Sequence, residues 1–299
     1  MNDMTEILSG IASLQASVQH LQRSIDDVRS LVGPFATSFP DGTMLVQTLY
    51  GTKYFIDPSD EVMAPQLVVY RQWEADLSQF MINSVTPDTV FMDVGANFGY
   101  FTCLVASRIG CSGRGAVIAV EPNPRMVTLL ERNIRINWSI APVEVYACAV
   151  ADSNGYLEFN VPEGRAANAG LATGNQPAAA GDRRFIVPTK TLGDIASARK
   201  VDLMKIDVEG FELAVLKHIG PVLANSPALS IVMEWSPSQM KSAGFSVDDF
   251  LAVLDKHRLA PFRVPPTRFL DPAELAQFAI TGDQLRGMAY DNILLTPQP

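Results

Sequence analysis

The chain has 299 residues, of which 47% are hydrophobic and 18% charged, and its formal net charge is −9. The hydrophobic share excludes global disorder, and the acidic balance argues against a nucleic-acid-binding surface, which is usually basic. No apolar run approaches the ~20 residues that a membrane span requires, and the N-terminus lacks the pattern of a signal peptide. Three widely spaced cysteines favour reduced thiols. We therefore expect a cytoplasmic protein without a transmembrane segment.

The first 33 residues carry an apolar stripe with alternating steps of four and three. Its members are Ile7, Ile11, Leu14, Val18, Leu21, Ile25, Val28 and Val32. This heptad pattern predicts a coiled-coil helix over residues 1–33 that ends at Gly33-Pro34, with homo-oligomerisation through residues 7–32. β-Branched residues at one core position and a leucine-rich second position favour a parallel dimer, and a trimer stays open. The alternative is an amphipathic helix that packs on its own domain.

Residues 34–88 are expected to form an extension that contains a hairpin over Thr43–Ile56, with its turn near Gly51, and a helix over Gln66–Val85. From residue 89 to residue 299, strands alternate with helices. The predicted strands are Val90–Val94, Ala116–Val120, Val143–Val150, Tyr156–Val161, Phe185–Val187, Leu203–Val208, Ser230–Glu234 and Asn292–Leu295; the predicted helices are Phe98–Arg108, Arg125–Asn137, Phe211–Ile219 and Val247–His257. A Gly/Ala-rich loop, Pro162–Asp182, is expected to act as a lid. The alternation predicts an α/β domain with a mostly parallel sheet, whose ligand lies beyond the carboxyl ends of the strands.

A glycine turn joins the first of these strands to its helix. Gly95 and Gly99 allow a tight turn and close helix packing, and Asp93 ends the strand. The next strand ends in Glu121, a residue suited to accept hydrogen bonds from a ribose. This combination predicts a nucleoside-containing cofactor. A dinucleotide site needs a glycine where Asn97 stands, so the pattern favours S-adenosylmethionine, which has no phosphate.

A second group of charges follows the strand that begins at Leu203. Lys205, Asp207 and Glu209 alternate with apolar residues, and Glu234 ends the next strand. Buried charges are costly without partners, so the three could simply neutralise one another. The functional interpretation is that acids at a strand's carboxyl end bind the donor's ammonium group, orient a hydroxyl, accept its proton or hold a divalent cation.

Four segments in this order resemble the FkbM-type methyltransferases: Asp93–Tyr100, Glu121-Pro122, Ala149–Asp152 and Lys205–Glu212. The resemblance covers roughly residues 66–296. It implies a Rossmann-like class I methyltransferase fold, with a seven-stranded, mostly parallel sheet whose last strand is antiparallel. It also implies O-methylation of a sugar, glycan or natural-product hydroxyl with S-adenosyl-L-methionine as the donor.

The resemblance also implies roles for individual residues. The donor would be bound by Asp93, Gly95, Asn97, Gly99, Glu121, Val150, Asp152 and Asp207, with Glu121 at the ribose and Val150 and Asp152 at the adenine. Asp207, Glu209 and Lys205 would be the catalytic residues. If a magnesium ion assists, its expected ligands are Asp207, Glu209 and Glu234. The alternatives are a protein or carboxylate acceptor, a nicotinamide-dependent oxidoreductase and a non-catalytic coiled-coil scaffold.

Overall fold

The computed structural model describes residues 2–31, 36–161, 170–171 and 183–298. Most of the predicted lid Pro162–Asp182 lies outside the described residues, as do Val32 and the Gly33-Pro34 helix end. Within the described ranges, none of the helices is long and apolar enough to cross a membrane.

A seven-stranded sheet forms the centre of the molecule. Its strands, named here by chain order, are β4 (Val90–Val94), β5 (Ala116–Val120), β6 (Val143–Tyr146), β11 (Leu203–Ile206), β12 (Ser230–Trp235), β13 (Leu259–Arg263) and β14 (Asp291–Pro297). Their order across the sheet is β13-β14-β12-β11-β4-β5-β6. β14 runs antiparallel to both of its neighbours, and the ladders from β12 to β6 are parallel. The predicted mostly parallel sheet with an antiparallel last strand is confirmed.

Two smaller sheets flank it. One is the antiparallel sheet of β1 (Ala36–Ser38), β2 (Met44–Gln47) and β3 (Lys53–Ile56), in which β2 and β3 form the predicted hairpin. The other has the order β7-β10-β8-β9 and consists of β7 (Ala149–Val150), β8 (Gly155–Val161), β9 (Gly170–Leu171) and β10 (Arg183–Lys190).

Helices cover the sheet in the usual α/β manner. In chain order, the helices of the described residues are α1 (Asn2–Leu31), α2 (Met63–Val69), α3 (Ala75–Asn83), α4 (Tyr100–Ile109), α5 (Pro124–Ile136), α6 (Leu192–Ala196), α7 (Glu212–Lys217), α8 (Gly220–Asn225), α9 (Pro237–Ser242), α10 (Val247–His257), α11 (Pro272–Ala276) and α12 (Gly282–Gly287), of which α1 is not part of this cover. Local caps define several ends. The Asn123 side chain caps α5, and Ser246 and Asp249 form a reciprocal capping box on α10.

The two faces of the central sheet are buried in separate apolar clusters, because successive side chains of a strand point to opposite faces. On β4, Met92 and Val94 join one cluster and Phe91 joins the other. The second cluster also contains Phe55 and Leu77, so the segment 34–88 packs directly against the sheet. Burial on both faces explains why the central strands are almost continuously apolar.

Three sequence expectations require correction. The helix expected over Gln66–Val85 is two helices, α2 and α3, separated by a turn in which Arg71 and Glu74 have positive φ angles of 58° and 41°. The strand expected over Val143–Val150 is split between two sheets as β6 and β7. The strand expected over Leu203–Val208 ends at Ile206.

Helix α1 carries its apolar stripe on the outside. The stripe residues whose side chains are described are 49–68% exposed: Ile11, Leu14, Val18, Leu21, Ile25 and Val28. A stripe of this size at heptad spacing is typical of a helix that pairs with other helices. We therefore keep self-association through α1 as a prediction.

Substituting both Leu14 and Leu21 by Glu should dissociate the oligomer, because four or more charges would face each other in the helix–helix seam. The matched control is the double substitution Ser13→Glu and His20→Glu, which adds the same charge one residue away from the stripe. Light scattering after size exclusion should give a dimer or trimer mass for the wild type and the control, and a monomer mass for the Leu variant. A monomeric wild type would contradict the prediction.

Candidate active site

A cavity of about 290 Å³ opens at the carboxyl ends of β4, β5, β11 and β12. Its lining includes residues at or just beyond the ends of these strands, among them Val94, Glu121, Asp207 and Glu234. This is where an open α/β sheet binds its ligand, because the strand order reverses there. The location predicted from the sequence is thus the location of the cavity.

The glycine turn after β4 is packed directly against the loop after β11. Gly95 has a φ of +86°, and its amide donates to Val120 O over 2.9 Å. A Cβ at this position would overlap the carbonyl oxygen of Asp207 and lie 2.8 Å from its carbonyl carbon. Asp207 N in turn donates to Val94 O over 3.0 Å. Gly95 therefore allows two loops of the cavity to touch, backbone to backbone.

Glu121 is held rigidly at the end of β5. Its Oε2 accepts a hydrogen bond from Asn97 N at 2.7 Å, and its Oε1 accepts one from Asn123 N at 2.8 Å. Burial raises the pKa of Glu121 to about 7, and the carboxylates of Asp93 and Asp207 add to the rise. Each oxygen keeps a lone pair for a further donor. The carboxylate can therefore accept the two hydroxyl hydrogens of a ribose.

Lys205 lies between two acids. It is paired with Asp93 across the β11–β4 ladder, and its Nζ lies 2.7 Å from Asp207 Oδ2 and 5.0 Å from the centre of the Phe101 ring. Burial alone would lower the pKa of Lys205, but the carboxylates of Asp207, Asp93 and Glu74 outweigh it and raise the pKa. The Lys205 ammonium is therefore fully charged and fixes Asp207 at the cavity wall.

Asp93 is 1% exposed, and burial raises its pKa. Its Oδ2 accepts a hydrogen bond from Thr102 Oγ1 at 2.6 Å, whereas its buried Oδ1 has no hydrogen-bond partner in the described part of the chain. Because Asp93 lines the cavity, this oxygen is suited to a cationic ligand group such as an ammonium.

More acids line the side of the cavity next to β12 and β14. Glu209 Oε2 accepts a hydrogen bond from Gln239 Nε2 at 2.6 Å. Burial, followed by the Asp207 carboxylate, raises the pKa of Glu234 to about 7, and the Tyr290 hydroxyl is hydrogen-bonded to Glu234. Glu74 faces the same space, and burial raises its pKa too. The described lining contains six acids and one base, with no arginine or histidine.

Most of the predicted donor and catalytic residues come together here. The cavity is lined by Asp93, Gly95, Asn97, Glu121, Val150, Lys205, Asp207 and Glu209, with Trp73, Glu74 and Glu234 beside them. Gly99 is not among the lining residues. It caps α4 with a φ of +94°, and its role is close packing against Leu130. Asp152 is exposed on the turn between β7 and β8, outside the cavity lining.

Sequence reasoning missed three residues of this region: Tyr290, Gln239 and Glu212. Tyr290 immediately precedes β14, and an antiparallel strand begins at the edge where the parallel strands end, so topology could have identified it. Gln239 lies on α9, a helix that the sequence did not indicate. Glu212 lies in the motif itself and is fully buried. The predicted helix Phe211–Ile219 already contained Glu212, but its place beside Asp207 and Glu234 follows only from the turn after Ile206.

The strand order, the antiparallel β14 and the cavity beyond the parallel strands define a class I methyltransferase fold. The sequence profile of the methyltransferase FkbM domain matches residues 93–260, which is more than half of the chain. The chain belongs to this family and is a methyltransferase, as the sequence resemblance implied.

Two characterised relatives are similar to part of the chain. Methyltransferase sdnD of Sordaria araneosa is 25% identical over 188 residues, which cover 54% of this chain and 71% of the relative. The hexuronic acid methyltransferase AglP of Haloferax volcanii is 29% identical over 147 residues, which cover 48% of this chain and 55% of the relative. The chain thus spans only about half of the Haloferax protein.

Among solved structures, M. jannaschii TYW2 in complex with AdoMet has a TM-score of 0.44 at 11% identity, covering 87% of this chain and 86% of that one. P. horikoshii TYW2 in complex with MeSAdo has a TM-score of 0.42 at 13% identity, covering 86% of this chain and 70% of that one.

Gly95→Ala should lower the free energy of unfolding by at least about 3 kcal/mol, because the new methyl group overlaps backbone that cannot move aside. Gly42→Ala is the matched control. Gly42 also has a positive φ, of +81°, but nothing lies within 4 Å of its would-be Cβ. The control should therefore lose only about 1 kcal/mol of backbone strain. Urea titrations followed by circular dichroism measure both, and equal losses would contradict the close-approach explanation.

Proposed function

We propose that this methyltransferase transfers the methyl group of S-adenosyl-L-methionine to a hydroxyl oxygen of a sugar, glycan or natural-product acceptor. The observation that carries the proposal is the pair of acids Glu121 and Asp93, placed at the ends of adjacent strands. Glu121 has acceptor capacity for a ribose, and Asp93 has a buried oxygen without a hydrogen-bond donor among the described residues. S-adenosyl-L-methionine can supply both partners, because its ribose hydroxyls can donate to Glu121 and its ammonium can donate to Asp93.

The residue roles proposed from the sequence fit this geometry. The Gly95 turn and Asn97 would border the methionine part of the donor, and Val150, on β7, would pack against the adenine. A dinucleotide is a poorer match, because the Asn97 side chain occupies the place of the glycine that admits a pyrophosphate. Asp152 is exposed and lies outside the described cavity lining, so its proposed role at the adenine draws no support from this geometry.

Asp207 is the favoured base, with Glu209 as the second candidate. In the proposed reaction the acceptor oxygen attacks the donor methyl carbon in line. The sulfur–carbon bond breaks as the oxygen–carbon bond forms, and the hydroxyl proton passes to the carboxylate. Lys205 would keep Asp207 oriented through their 2.7 Å contact. Fixed geometry of the two reactants supplies much of the rate in such transfers, and the base adds to it.

The charge of the cavity favours a neutral hydroxyl over a carboxylate acceptor. Among the described lining residues are six acids and one lysine, and the lysine is already paired with Asp207, so an anionic acceptor would be repelled. The name of the Haloferax relative supports a sugar acceptor in general. A hexuronic acid carries a carboxylate, so the relative's name supports only the sugar class, and the charge of this cavity favours a hydroxyl of a neutral sugar.

The test has two stages. Calorimetric titration should show binding of S-adenosyl-L-methionine and no comparable binding of NADH; the reverse result would support an oxidoreductase, and binding of neither would support a scaffold. Methyl-labelled donor is then incubated with a panel of neutral sugars, glycosides and uronic acids. The product should be a base-stable methyl ether, whereas a base-labile methyl ester would indicate a carboxylate acceptor.

Asp207→Asn should reduce kcat by roughly 10²–10⁴-fold on the best acceptor of that panel, because the amide cannot accept the hydroxyl proton. Asp88→Asn is the control. Asp88 precedes β4, at the amino ends of the parallel strands and away from the cavity, and its side chain is 58% exposed. Its replacement should leave turnover unchanged. Turnover at the wild-type rate in the Asp207 variant would refute its role as the base.

Donor binding should weaken as the pH falls below about 7 and level off once Glu121 is fully protonated. Below its pKa of about 7, Glu121 is protonated, and a protonated carboxyl offers the ribose one acceptor fewer. Above pH 7 the Glu121 carboxylate stays charged and causes no further change in affinity. Glu121→Gln should bind weakly at every pH, whereas Glu234→Gln should keep the wild-type pH profile. Calorimetry from pH 5.5 to 8.5 (roughly the window set by that pKa) measures the Kd, and an unchanged profile in the Glu121 variant would contradict this assignment.

A further inference from the structure

Three acids from separate elements meet beside the cavity. Asp207 lies in the loop after β11, Glu212 is the first residue of α7, and Glu234 is on β12. One carboxylate oxygen from each lies within 4.8 Å of the other two. Asp207 and Glu234 also line the cavity, so the cluster is reached from the acceptor side.

Two of these acids have an oxygen without a hydrogen-bond donor. Glu212 is 0% exposed; its Oε1 accepts hydrogen bonds from Val208 N at 2.9 Å and Gly210 N at 3.1 Å. Its Oε2 has no partner among the described residues, and the same holds for the buried Oε2 of Glu234. A buried polar atom left unpaired costs about 1–3 kcal/mol, and more when it is charged. Each of these oxygens therefore requires a proton or a cation.

Positive charge from the protein does not meet this need. Within the described cavity lining, the one cation is Lys205, whose Nζ is bonded to Asp207 Oδ2 at 2.7 Å and also compensates Asp93. Glu212 and Glu234 therefore face each other and Asp207 with too little compensating charge. Three carboxylates with two unpartnered oxygens are a suitable ligand set for a hard divalent cation, which prefers oxygen ligands.

We propose that Asp207, Glu212 and Glu234 bind one divalent cation of the magnesium or manganese class. Its remaining coordination positions face the cavity, where they would hold water or an oxygen of the acceptor. The binding site does not depend on the proposed function, but the contact with an acceptor oxygen does rest on it.

This ligand set differs from the one expected from the sequence, in which Glu209 took the place of Glu212. The difference has a local cause. After β11 ends at Ile206, Glu209 and Gly210 adopt positive φ angles of 54° and 95°, so the strand alternation stops. The turn directs Glu209 to Gln239, and it places Glu212 beneath the loop.

The test measures Mn²⁺ binding to the chelator-treated full chain in the absence of donor and acceptor. Electron paramagnetic resonance counts free Mn²⁺, and Mg²⁺ should displace the bound ion. The variants are Glu212→Gln and Glu234→Gln, which keep the shape and remove the charge. Glu209→Gln is the matched control from the same loop. Circular dichroism confirms that each variant is folded, and the Glu234 variant decides the outcome if the Glu212 variant does not fold.

We expect one Mn²⁺ per wild-type chain, binding about 100-fold weaker in the Glu212 and Glu234 variants, and unchanged binding in the Glu209 variant. Absence of saturable Mn²⁺ binding by the wild type would overturn the proposal and leave a shared proton as the explanation. Equal binding in all four proteins, or loss only in the Glu209 variant, would overturn it as well. Because the readout needs no methyl transfer, failure here is distinguishable from failure of the proposed function.

Discussion

The Lys205 ammonium lies on the central strand β11 with its side chain 5% exposed, 2.7 Å from Asp207 Oδ2. Removing an ammonium from water costs several kcal/mol unless nearby carboxylates compensate for the loss. The register of β11 against β4 supplies Asp93 as a direct neighbour, and the turn before α3 supplies Glu74. The acids of the cavity are thus placed around one buried cation, and the position of this cation follows from the strand order.

The second constraint is the contact between Gly95 and the backbone of Asp207. It joins the donor end of the cavity to the acceptor end, because the turn that precedes α4 touches the residue that we propose as the base. Any shift of the loop after β11 must therefore move the glycine turn as well. Glu121, held by Asn97 N of the same turn, belongs to this connected unit. A rigid path of this kind can hold donor and acceptor in a fixed relative geometry, which methyl transfer requires.

The sequence predicted the central sheet well, because strands such as Val90–Val94 and Ala116–Val120 are buried on both faces and read as short apolar runs. The motif acids were predicted because they directly follow such strands. The break between α2 and α3 could not be predicted, since no glycine or proline marks it and the side chains of Arg71 and Glu74, which have positive φ angles, hydrogen-bond to residues far along the chain. Glu209 was expected in the place of Glu212 because the alternation of the strand was extended two residues beyond Ile206.

The excess of acids in the cavity also affects how strongly the donor and the product are bound. The proposed donor carries a sulfonium, an ammonium and a carboxylate, and transfer converts its sulfonium into a neutral thioether. The product therefore carries one positive charge fewer than the donor. Because the described cavity lining has six acids and one lysine, the loss of that charge makes the product bind less strongly than the donor. The negative potential of these acids repels anionic acceptors and leaves neutral acceptors unaffected. Negative potential at the strand ends can therefore favour donor binding, product release and the choice of a hydroxyl acceptor.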